Sequence, residues 1–186
     1  MPHIQIIEPE QAEGRLREIY DKLIESRGKL AEVHKIQSLN PETIVRHIDL
    51  YMSIMFGQSP LKRVQREMMA VVVSKANECV YCQVHHAEAV QHYWKDETRV
   101  QQLRQDYTRL ELSPADRALC DYAWRLTREP GRANEEVLIQ PLRAQGFSDR
   151  AILDATLVVS YFNFVNRIVL ALGVPLEAAP GGYRYD

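Results

Sequence analysis

Apolar positions recur at helical spacing almost from end to end of this chain. Between Glu10 and Arg27, Leu16, Ile19, Tyr20, Leu23 and Ile24 fall at i, i+3, i+4, i+7 and i+8, one face of a helix ending near Gly28. Asn40-Pro41 supplies a cap and a first-turn proline, and Ile44, Val45, Ile48, Tyr51, Met52 and Met55 carry a second face to Gly57. Ser59-Pro60 repeats that start signal for a helix through about Lys75, and Asn77 is placed to cap another running to about Trp94. Ser113-Pro114 opens a helix through Thr127, which Glu129-Pro130-Gly131 breaks. Residues 134–144 read as a shorter helix closed by Gly146, and Ser148 caps the last long one, which stops at Gly173 and Pro175. No sustained period-2 run bounded by hairpin turns interrupts this order, so the predicted fold is all-α.

One domain over residues 1–186 is expected, because no linker divides the chain. Its parts are the N-terminal helix at 10–27, a core at about 41–175 and an irregular Pro/Gly/Tyr tail at 178–186. Ser-Pro recurs at 59 and 113, the mark of a duplicated helical unit if both dipeptides open equivalent helices. With 46% hydrophobic and 26% charged residues, the 186-residue chain can bury a real core. The formal net charge of −2 and the absence of a Lys/Arg block exclude the continuous basic face that nucleic-acid binding requires.

The first residues, Met1 to Glu8, lack the charged-then-apolar layout of a signal peptide, so a cytoplasmic location is expected. Leu157 to Leu172 is strongly apolar, but Asn163, Asn166 and Arg167 interrupt it, and it reads as a buried helix with no membrane partner. That helix is apolar over more than one face, which suits burial between subunits as well as the centre of one subunit.

Three cysteines, two of them in a CxxC, do not make a secreted disulfide framework; in a reducing compartment such a pair is more often catalytic or metal-binding. The pair is Cys79-Val80-Tyr81-Cys82, with His86 four residues on. Two thiols three positions apart near a helix start can reach disulfide geometry, and an imidazole one turn further can take a proton from the nearer one. With Asn77 as cap, Cys79 falls in the first helical turn, where unpaired amides favour a thiolate. That argument makes Cys79 the more acidic thiol, whereas adjacency to His86 favours Cys82 as the nucleophile.

Glu67 enters by counting. It lies 10 residues before Asn77, and His86 lies 9 after it; in an antiparallel hairpin they sit at nearly the same height. A carboxylate there would hold the imidazole in one tautomer and support the charge it gains. A zinc site is the competing reading, with Cys79, Cys82, His85 and His86 as ligands. On one helix Cys79 and His86 are about 10 Å apart along the axis, too far for ligands of one ion. No metal is therefore expected. Cys120 and the Met52, Met55, Met68 and Met69 set read as core. His34, His47 and His92 read as surface or packing residues, Glu78 as a charge favouring the helix start, and His85 as an exposed or interface histidine with at most a supporting role.

Glu67, Cys79, Cys82 and His86 spell E-x11-C-x2-C-x3-H, which resembles the signature of the AhpD-like alkylhydroperoxidases within the carboxymuconolactone decarboxylase superfamily. Glu78-Cys-Val-Tyr-Cys-Gln-Val-His-His86 is similar to the peroxidase-related branch in particular. So are Phe162-Asn-Phe-Val-Asn-Arg167 and Leu172-Gly-Val-Pro175. The resemblance implies an all-helical subunit assembling as trimers, or as hexamers built from trimers, that reduces organic hydroperoxides with no bound cofactor. In that scheme Cys82 attacks the peroxide and becomes a sulfenic acid, and Cys79 condenses with it to a disulfide. Glu67 and His86 carry the proton, and a thiol–disulfide reductant protein restores the dithiol. The founding type has a histidine where Tyr81 stands, and a phenol is a poor base near neutral pH, so a simpler relay is expected here. The alternatives are a redox-sensing protein whose disulfide changes its assembly, or the decarboxylase and lactone chemistry of the wider superfamily, which needs no dithiol.

Overall fold

The computed structural model describes residues 1–132 and 134–178. Its helices are α1 (Gly14–Arg27), α2 (Glu32–Lys35), α3 (Pro41–Phe56), α4 (Arg63–Ala76), α5 (Val80–Trp94), α6 (Glu97–Asp106), α7 (Pro114–Arg128), α8 (Gln140–Ala144) and α9 (Asp149–Leu172). No strand occurs among the described residues. The fold is all-α, as the hydrophobic period predicts.

Helix α4 is the hub. Met68, Met69, Ala70, Val71, Val72 and Val73 are all buried, so the helix is covered on every side, by α5, α7, α9, α6 and α3. Three successive valines are weak helix formers, losing well under 1 kcal/mol each against alanine, whereas burying each side chain gains about 1.5–3 kcal/mol. Tertiary burial therefore decides the local conformation. Helices α4 and α5 form the antiparallel hairpin that carries the chemistry. A smaller cluster joins α1 to α3 through Leu16, Ile19, Tyr20, Leu23 and Ile44.

Several boundaries differ from the sequence reading. The first helix starts at Gly14, after a 3-10 turn at Pro9–Gln11. The helix expected after Ser59-Pro60 begins at Arg63; Ser59 Oγ accepts from the Leu61 amide and donates to Asp154 Oδ2 instead of capping. Ser113 does cap its helix, accepting from Asp116 N, so the two Ser-Pro dipeptides open different structures. Glu97–Asp106, whose few apolar positions give no period in the sequence, is a helix capped by Asp96, whose side chain accepts from Arg99 N. Residues Glu135–Ile139 form a π-helical turn before α8. Asn77 is not the cap of α5. It ends α4, and its side-chain amide donates to Asn163 Oδ1 and Asn166 Oδ1 on α9. Met52 is exposed, while Met55, Met68 and Met69 are core. The expected irregular tail lies outside the described residues from 179 onward.

Candidate active site

The turn between α4 and α5 sets the position of both thiols. Glu78 adopts φ 60, a left-handed conformation that swings the chain back, and Cys79 N then donates to Ser74 O at 2.8 Å. Cys79 is consequently the N-cap of α5, one position before its first helical residue, and not part of the first turn as the placement of Asn77 had suggested. Both thiols are free and buried, Cys79 at 0% and Cys82 at 3% exposure. The Cys82 thiol donates to the Cys79 sulfur. That hydrogen bond holds the Cys79 thiol below its ordinary value, in keeping with its place at the positive end of α5. The same bond, together with burial, pushes the Cys82 thiol well above its ordinary value, a rise opposed by the Asn166 side chain.

Across the hairpin, Glu67 Oε2 lies 2.6 Å from His86 Nδ1. The other oxygen, Oε1, accepts from Arg63 Nε at 2.8 Å and from its Nη2. Burial alone would raise the fully enclosed Glu67 carboxyl; the charges and hydrogen bonds of His86 and Arg63 outweigh it and hold the carboxyl below the usual carboxylate range. Arg63 is braced in turn by the Phe56 ring, 3.5 Å from its guanidinium carbon. Phe162 meets the His86 ring edge-on at 4.5 Å. With Nδ1 turned to the carboxylate and the ring so clamped, Nε2 is the imidazole atom left to exchange a proton.

Cys82 and His86 line a cavity of about 80 Å³ with Tyr81 and His85 of α5, Arg27 of α1, His34, His47 and Tyr51, and Tyr161 of α9. Cys79 does not line it. His85, expected as an exposed or interface residue, is buried, its Nε2 2.7 Å from Glu177 Oε2. Glu177 Oε1 also accepts from Tyr81 Oη at 2.8 Å and from Glu32 N at 3.1 Å. Burial would raise the Glu177 carboxyl, but the His85 and Glu32 hydrogen bonds outweigh it and hold it at about 2. His34 and His47, read as surface or packing residues, are both buried in the pocket wall; burial lowers His34 to about 3 and His47 to about 4, so both are neutral. Cys120 sits in the core at 0% exposure, and burial pushes its thiol up. Among the described residues no group of three or more His, Cys, Asp or Glu is arranged to hold a metal ion.

Three contributors were not found from sequence. Arg63 stands four residues before Glu67 on one helix face, a signal that was legible. Glu177 is 92 residues from His85, and Tyr161 is 114 from His47, so nothing in their spacing points to contact.

The profile of the carboxymuconolactone decarboxylase family matches residues 46–123, the stretch from α3 into α7 that includes the hairpin. An uncharacterized peroxidase-related protein from Silicibacter sp. TM1040 superposes with a TM-score of 0.81 at 32% identity, over 87% of this chain and 84% of that one. The AhpD-core, peroxidase-related protein of Ralstonia eutropha JMP134 gives 0.85 at 22% identity, over 95% and 93%. The debrominase Bmp8 shares the fold, with a TM-score of 0.78 at 20% identity over 96% and 94%. Among curated proteins, the uncharacterized YdfG of Bacillus subtilis (strain 168) is 25% identical over 116 residues, 62% of this chain and 78% of its own. With a 32% identical relative spanning most of both chains, and the family profile lying across the thiol hairpin, the chain belongs to the AhpD-like, peroxidase-related proteins of the carboxymuconolactone decarboxylase superfamily.

Proposed function

We propose that this protein is a thiol-dependent peroxidase that reduces organic hydroperoxides with the Cys79/Cys82 dithiol and a Glu67–His86 proton relay. The observation that carries this reading is the 2.6 Å Glu67–His86 contact behind a pocket whose wall contains Cys82. Cys82 is the thiol a ligand can reach, and Cys79, buried behind it, is the resolving partner. At rest the negative charge is favoured on Cys79; His86 Nε2 draws the Cys82 proton as a peroxide approaches. The Cys82 thiolate attacks the terminal peroxide oxygen, the O–O bond breaks, and the alkoxide leaves with the proton from His86. Cys79 then attacks the sulfenic sulfur, closing the disulfide and releasing water, so one hydroperoxide and two thiols give an alcohol, water and a disulfide.

A cavity of about 80 Å³ is well below the roughly 150 Å³ that admits benzene, so the peroxide group enters and the rest of the substrate stays at the mouth. Tyr81 is bonded to Glu177 and serves as wall, not base. The disulfide is returned to dithiol by a reductant protein of the thiol–disulfide class in the cytoplasm, and the active form is a homotrimer or hexamer with no bound cofactor.

The test is turnover of cumene hydroperoxide with a dithiol reductant. Cys82→Ser should lose at least about 10³-fold, the scale of removing a nucleophile; wild-type-like turnover in that variant ends the assignment. The debrominase Bmp8, which shares the fold, has been solved with bound 2,3,4-tribromopyrrole, so that compound belongs in the same assay. An activity insensitive to alkylation of both cysteines would instead revive decarboxylase or lactone chemistry. A change in sedimentation on oxidation, without turnover, would favour the redox sensor.

A further inference from the structure

Gln37, His47 and Tyr161 form a hydrogen-bond chain in the wall of the same pocket, and the chemistry of its first link fixes its direction. The Val33 carbonyl can only accept, so the Gln37 atom 2.7 Å from it is the amide nitrogen. The second hydrogen of that NH2 group points at His47 Nδ1, 2.8 Å away. Nδ1 must therefore accept. His47 is neutral, so its single ring hydrogen sits on Nε2, 2.8 Å from Tyr161 Oη. Tyr161 thus accepts from His47, and its own hydroxyl hydrogen has no acceptor among the described residues. The residue is only 6% exposed and lines the pocket with Cys82 and His86. A buried O–H left without an acceptor is destabilising, and a ligand oxygen in the pocket would satisfy it. Burial pushes the Tyr161 phenol well above its ordinary value, so it acts as a donor and keeps its proton.

We infer that Tyr161 is a catalytic hydrogen-bond donor to the leaving oxygen of the bound hydroperoxide, with Gln37 and His47 as positioning residues that aim its hydrogen into the pocket. The inference rests on the thiol-peroxidase reading. As the Cys82 sulfur bonds to the terminal oxygen and the O–O bond breaks, charge develops on the inner oxygen. The Tyr161 hydroxyl stabilises that charge without giving up its proton, and the proton that completes the alcohol comes from His86. Donors aimed in advance at a developing oxyanion are worth about 10²–10³ in rate. The substrates it favours are alkyl hydroperoxides, whose leaving alkoxides are strongly basic; peracids, whose leaving carboxylates are stable, gain little.

The experiment compares Tyr161→Phe and Gln37→Leu with the wild type on cumene hydroperoxide and peracetic acid, with thermal melting to confirm that both variants fold. Tyr161→Phe should lose about 10²-fold in kcat/KM on cumene hydroperoxide and less than about threefold on peracetic acid. Gln37→Leu, which frees the His47 tautomer, should lose an intermediate amount with the same substrate dependence. Independently of turnover, the ¹⁵N resonances of His47 should show the Nε2–H tautomer in the wild type and a mixture in Gln37→Leu. A wild-type Nδ1–H tautomer overturns the inference. So does a Tyr161→Phe enzyme within about twofold of wild type on cumene hydroperoxide, or one that loses equally on both substrates. A wild-type protein inert toward both peroxides removes the peroxidase reading itself, and this role with it.

Discussion

Glu67 holds two partners on one carboxylate, with Arg63 on one oxygen and His86 on the other, and it is fully buried. Because its carboxyl is lower in the folded chain than its ordinary value near 4.5, it contributes stability above that pH, lost as pH falls through the folded value. Glu67→Gln leaves the partly buried Arg63 without its anion. We expect a loss of about 3 kcal/mol at pH 7 in urea unfolding, shrinking as pH falls below the ordinary carboxyl value toward the lower folded one. An unchanged midpoint at pH 7 would contradict this. The Glu67–His86 contact was legible in the sequence because it depends only on counting along two successive helices. Arg63 was equally legible as an i,i+4 partner. Cys79 was misplaced by two positions because Asn77 looks like a cap while its amide is spent on Asn163 and Asn166, two residues that lie close by only in the folded chain.

At the scale of elements, the long amphipathic helices were readable and the short polar one was not. Helix α6, Glu-Thr-Arg-Val-Gln-Gln-Leu-Arg-Gln-Asp, buries only Val100 and Leu103, too few apolar positions to reveal a period. Its start depends on Asp96, whose carboxylate satisfies the Arg99 amide at 3.0 Å. Asp96→Ala should cost about 1 kcal/mol of unfolding free energy, measured by denaturant titration, with turnover unaffected. A loss indistinguishable from zero would mean that packing of Val100 and Leu103 alone fixes the helix. Helix α4 is the opposite case. Its central run has no polar face to give a period, and the reason is burial against five other helices.

For the whole molecule, the segment after α9 closes the site by linking distant parts of the chain. Glu177 ties α5, through Tyr81 and His85, to the backbone at the start of α2. Its carboxyl, held at about 2, adds stability that is complete above its ordinary value near pH 4.5 and is lost between about 4.5 and 2. Glu177→Gln should therefore melt lower than wild type at pH 7, and the gap should narrow as pH falls from 5 to 3. A pH-independent gap would show that the carboxylate's charge plays no part. Helix α9, by length and composition able to cross a membrane, turns Ala155, Val158, Val159, Phe162 and Asn166 into the bundle. Leu153, Leu157 and Phe164 remain exposed on it, the surface available to the proposed assembly.

The sequence by itself determined the helical class, most of the long helices, the dithiol motif and the Glu67–His86 pairing. Each of these follows from spacing within one helix or across one hairpin, where the 3.6-residue period converts position into direction. Only the tertiary structure decided that His85 faces Glu177, that His34 and His47 are buried neutral, and that Gln37, His47 and Tyr161 join in one hydrogen-bond chain at the pocket wall. Those contacts join residues as many as 114 positions apart, and what brings them together is the burial of α4 and α9, which no local spacing encodes.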